Sequence, residues 1–153
     1  MDKERIQEFT MRVTQASKTE LVVILYDIII SDLTESKKML ALGDETGFVK
    51  ELKHSLRCLN ELMATLDHSI PISHDLLSLY SFSNKTIIHA MMKKTEDGLD
   101  SAVSVLSKLR AAFYEISKSD TDGPVMENTQ QVYAGLTYGK GTLNESYLSG
   151  YEH

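Results

Sequence analysis

Ser17-Lys-Thr-Glu-Leu-Val-Val-Ile-Leu-Tyr-Asp-Ile-Ile-Ile30 decides the fold. Its first four residues form a capping box, in which the Ser17 hydroxyl accepts from the Glu20 amide and Glu20 reaches back to the Ser17 amide. Lys37-Lys38 and then Gly43 close the same segment, as cations near the carbonyl end of a helix dipole and a glycine just past it. The result is one helix near 18–42, about twice the usual length. Val22, Leu25, Ile29, Leu33, Ser36 and Leu40 form one stripe along it, and Leu21, Ile24 and Ile28 form a second beside the first. A helix apolar on most of its circumference needs cover on two sides. Neighbouring helices supply one side, and another segment or a partner supplies the other; a helix wrapped wholly by its own chain fits the same pattern. The run is about half the roughly 20 apolar residues of a membrane span, and Asp27 interrupts it, so membrane insertion is not expected.

Outward from this helix the periodicity continues in both directions. Residues 1–15 carry Ile6, Phe9 and Val13 at helical spacing with no clear cap before them, giving a short amphipathic helix too short to stand alone. Its natural place is a groove, and the second stripe is the candidate. Phe48, Leu52, Leu56, Leu59, Leu62 and Leu66 mark a helix near 46–67, which Pro71 separates from one near 74–94 capped by Ser73. Thr95 then caps a last helix near 96–118, with Leu99, Val103, Leu106, Leu109, Phe113 and Ile116 as its stripe. Short connections predict an all-α antiparallel up-down four-helix bundle over 1–118, with the N-terminal helix packed against it.

Beyond Lys118 the composition changes. Residues 119–153 hold five of the eight glycines and four of the seven tyrosines without a helical or strand period, which predicts an irregular tail lacking its own core. Val132, Tyr133, Leu136 and Tyr138 are still apolar enough to dock in cis on a groove and compete with whatever else binds there.

The chemistry this chain can support is limited. Its formal charge is −6 and no basic cluster exceeds two residues, so nucleic acid is not an expected partner. The single cysteine, Cys58, rules out an internal disulfide framework and is expected to pack as a small apolar residue in a reducing, cytoplasmic setting. Glu51-Leu-Lys-His54 has di-iron spacing, but the second motif and further glutamates such a site requires are missing, so the pair is expected at the surface and no metal or cofactor is predicted. No phosphate loop or nucleophile elbow occurs. Asp27 is expected to accept from a tyrosine or amide of a neighbouring segment, since no second acid or base lies within one turn of it.

Val13-Thr-Gln-Ala-Ser-Lys-Thr-Glu-Leu-Val-Val-Ile-Leu-Tyr-Asp27 resembles the first long helix of the FliS family of flagellar export chaperones. The similarity returns at Asn60-Glu-Leu-Met-Ala-Thr-Leu-Asp67, at Leu79-Tyr80 with Asn84, and at Leu109-Arg110-Ala111, in family order over residues 10 to 117. Lys18 stands where the family has proline, and Ile28 where glycine commonly follows Leu-Tyr-Asp. The resemblance implies a cytoplasmic chaperone, not an enzyme. It would bind the C-terminal segment of flagellin, block premature polymerisation and deliver its client to the type III export gate. It also implies that Ile6, Phe9 and Val13 cover part of the client groove when flagellin is absent. The partner-binding residues are then Leu21, Ile24, Tyr26, Asp27, Ile28, Asn60, Tyr80 and Asn84. The rival reading is a helical adaptor or self-assembling bundle without a flagellin client, whose second stripe makes a homodimer.

Overall fold

Each helix begins and ends where local chemistry satisfies or removes a backbone group. In the computed structural model, which describes residues 2–120 and 123–125, five helices follow one another: α1 Lys3–Gln15, α2 Lys18–Ala41, α3 Glu45–Ala64, α4 Ile72–Lys93 and α5 Leu99–Lys118. No strand occurs among the described residues. The Ser17 side chain caps α2 by accepting from the Glu20 amide at 3.3 Å, and Gly43 takes a left-handed φ of 78° past its end. α1 has a cap after all: Asp2 accepts from the Arg5 amide at 2.9 Å.

Two helix starts differ from the sequence expectation. α4 begins at Ile72, directly after Pro71, whose fixed φ of −55° already suits a helix start, so Ser73 lies in the first turn and its hydroxyl donates to the Asp67 carbonyl at 2.5 Å. α5 begins at Leu99, where Gly98 takes a φ of 85° that a side-chain-bearing residue would resist; Thr95 caps only the turn before it, accepting from Asp97 N.

α2 is the spine. It packs against α1, α3 and α5, while α4 touches α3 and α5. Both of its stripes are buried, from Leu21, Val22, Leu25 and Ile28 to Ile29 and Leu33. Each such side chain contributes about 1.5–3 kcal/mol by leaving water, which is why this helix, and not a loop, orders the rest. Its own chain therefore covers both stripes, with α1 supplying cover on the side that the bundle leaves open, while Glu20, Thr34 and Lys38 stay exposed. Residues 126–153, including the segment Val132 to Tyr138, lie outside the described residues. The chain reaches Val125 beside the start of α2, where its amide donates to the Ala16 carbonyl at 2.9 Å.

Candidate functional site

α1 lies antiparallel across α2: Arg5, near its start, reaches Asp32, and Arg12, near its end, reaches Asp27. Phe9 and Val13 are buried between the two ion pairs and Ile6 is partly buried, so the expected covering segment does lie on the long helix. At 100° per residue Asp27, Ile24, Ile28 and Asp32 follow one another around α2. The covered strip is thus apolar in the middle and acidic at both margins.

The Asp27 margin is half open. Arg12 Nη2 donates to its Oδ2 at 2.7 Å, and Arg110 of α5 forks onto both oxygens at 2.8 and 3.3 Å. The partners are guanidiniums from two other helices, not a tyrosine or amide of a neighbouring segment as the sequence suggested. Tyr26, the residue before Asp27, faces inward. The hydroxyls of Tyr26 and Tyr80 share a hydrogen bond in the core, and the Tyr26 ring lies 5.6 Å from that of Phe113.

The Asp32 margin is fully buried. Asp32 Oδ2 accepts from His54 Nδ1 at 2.6 Å and its Oδ1 from Arg5 Nη2 at 3.3 Å. Loss of water around it pushes the Asp32 carboxyl up to about 6, against the opposing pull of His54 and Arg5. His54 and Glu51 are buried with it, which overturns their placement at the surface. The reason is that α3 is covered on two sides, and its apolar stripe revealed only one. Burial likewise pushes the nearby Cys58 thiol up and keeps it in the unreactive form. Among the described residues no three such side chains converge as a metal site.

The family model for the flagellar protein FliS matches residues 1–120, which takes in all five helices and extends the likeness seen in the sequence to the whole of α1. The chain belongs to the FliS family. No curated protein sequence matches it. FliS proteins are flagellar chaperones, so the partner is to be sought among flagellar proteins. No helix among the described residues is long and apolar enough to cross a membrane.

Within this FliS-family chain the residues singled out from sequence fall into three settings. Ile24 and Ile28 lie in the strip between the two carboxylates, with Asp27 at its margin. Leu21, Tyr26 and Tyr80 are buried in the core, the two tyrosines completely. Asn60 is exposed on α3, and Asn84 is half-buried on α4 with its Oδ1 buried and unpaired. Ile24 also lines an open cavity of about 390 Å³ shared with Arg12, Arg110 and Tyr114. A second cavity, about 190 Å³ and mainly apolar, is lined by Val22, Leu76 and Phe113 and rimmed by the exposed Ile70, Ile72 and Ile116. The first of these openings continues the covered strip beyond α1, whereas Val22 places the second on the far side of α2 from Ile24. A larger cavity of about 810 Å³ lies elsewhere, on the outer side of α3 among Lys50, Lys53 and Arg57.

Sequence reasoning missed Arg5, Arg12, Asp32 and Arg110 as members of the site. A signal existed for two of them. Asp32 stands four residues after Ile28 and seven after Leu25, inside the apolar stripe, and Arg12 stands seven after Arg5 on the face of Phe9.

Proposed function

We propose that this chain is a cytoplasmic export chaperone that binds the C-terminal segment of flagellin, prevents its premature polymerisation and assists type III flagellar export. One observation supports this above all: the apolar strip of α2 is covered by a 13-residue helix that has only a short apolar face and is pinned at both ends by ion pairs. A helix of that length has little stability alone, so it is a cover that a better ligand can displace. In this reading Ile24, Ile28 and Asp27 contact the client directly, and the cavities beside Phe113 and Tyr114 accept further client turns. Leu21, Tyr26 and Tyr80 shape the strip from below, and Asn60 and Asn84 extend the contact over α3 and α4. The four long helices run alternately up and down, as their short connections require, and α1 is an accessory to them. The export gate is a further partner. The work is binding and delivery, without a catalytic step.

The flagellin segment folds on the chaperone and buries apolar surface as it does so. Calorimetric titration of the full chain with the C-terminal segment of flagellin from the same cell tests this. Saturable one-to-one binding with a large negative heat-capacity change is expected. Absence of binding by a protein whose helicity is intact would refute the reading.

A further inference from the structure

α1 is held by partners that stay behind when it leaves. Asp27 keeps the Arg110 fork from α5, and Asp32 keeps His54 from α3. What the strip loses with α1 is one guanidinium at each margin and the apolar side chains of Phe9 and Val13 between them. On α1 these four residues, Arg5, Phe9, Arg12 and Val13, share one helical face, with Ile6 at its edge. Arg5 also fits imperfectly. Its Nε and Nη1 are buried and have no hydrogen-bond partner, while Nη2 reaches Asp32 only at 3.3 Å. A buried donor left unpaired costs free energy that a better-fitting cation would not lose.

We propose that α1 is a built-in imitation of the client helix, so that the groove selects an amphipathic helix running antiparallel to α2 with two cations seven residues apart. A large apolar side chain four residues after the first cation, in the place of Phe9, and another directly after the second, in the place of Val13, complete the pattern. This inference rests on the flagellin-groove reading above and adds the chemistry by which the groove recognises its occupant. Charge supplies the rejection as well. A helix with a carboxylate at the first cation position would set it against the buried Asp32, where like charges repel with little screening. The groove therefore favours a segment that is basic on its buried face, although the chain as a whole carries −6.

The test is a fluorescence titration of the full chain with the C-terminal segment of flagellin from the same cell, in which each Lys and Arg of the segment is replaced singly by Gln. Two of these replacements, seven residues apart, are expected to weaken binding tenfold or more. One loss should disappear against Asp32→Asn and the other against Asp27→Asn, with circular dichroism showing both variants folded. If either fails to fold, Arg5→Gln and Arg12→Gln serve in its place: each loosens the cover and should tighten binding of the unaltered segment several-fold. Binding in which no pair of client cations behaves this way, or in which the Arg5→Gln and Arg12→Gln variants bind no tighter, overturns the imitation and leaves the chaperone reading standing. No binding to either the native chain or the Arg5→Gln variant overturns both.

Discussion

The two sides of α2 are both buried, yet they are built from different materials. Toward α3 and α5 the helix presents Leu25, Ile29 and Leu33, which have no polar atoms to satisfy and pack against helices of 20 residues each. Toward α1 it presents Ile24 and Ile28 between two carboxylates, against a helix of 13 residues. Apolar contact alone is non-directional and strong in proportion to area, whereas the partly exposed Arg12–Asp27 pair is screened, contributes little and leaves Asp27 with Arg110 when it breaks. The first side is a closed core, and on the reading proposed above the second is the side that opens.

The comparison breaks most visibly in the core. Ile29→Asp places an unpaired charge on the permanent side and should remove about 4 kcal/mol or more, enough to unfold the chain, as circular dichroism would report. On the other side Phe9→Ala should cost far less than the about 3–5 kcal/mol usual for a buried Phe→Ala change, because the loss is limited to the docking free energy of α1. Urea unfolding measures it. A cost equal to that of a core phenylalanine such as Phe48→Ala would mean that α1 is part of the cooperative core.

Acidity sharpens the contrast at Asp32. Its folded pKa, about 6, lies above the ordinary aspartate value of 3.8, so the folded state holds the proton more tightly and ionised Asp32 lowers stability. As pH falls from about 6 to about 4 the native chain should gain stability relative to Asp32→Asn, which has no carboxyl to titrate there. Unfolding of both proteins across that window checks the sign. Arg12→Ala should have the smallest effect, about 0–1 kcal/mol, because this half-exposed pair is screened and Asp27 retains Arg110.

The bundle was legible because its signals are local. Ser17, Gly43 and the apolar periods of α2 to α5 act within a few residues of themselves, and the packing of α1 against α2 followed from the surplus stripe that Ile6, Phe9 and Val13 had to meet. The margins of the groove were not legible. Asp27 finds its partners 15 and 83 residues away, and Asp32 finds His54 across 22, distances over which spacing rules carry no information. The Glu51-x-x-His54 pair was misplaced for the same reason. An apolar stripe marks one covered side of a helix, while Glu51 and His54, which look solvent-facing in sequence, are buried on its flank, where His54 meets Asp32 of α2. Ser73 is not a cap because the helix already starts at Ile72, which puts Ser73 inside its first turn with its hydroxyl donating to the Asp67 carbonyl.

Amide hydrogen exchange on the full chain, free and saturated with the C-terminal segment of flagellin, tests most directly whether α1 is a displaceable cover. In the free protein the amides of Lys3–Gln15 should exchange well before those of Lys18–Ala41, and saturation should speed the first set further while slowing the second. If α1 instead keeps its protection when flagellin is bound, the client occupies another surface and the strip between Asp27 and Asp32 is not its groove.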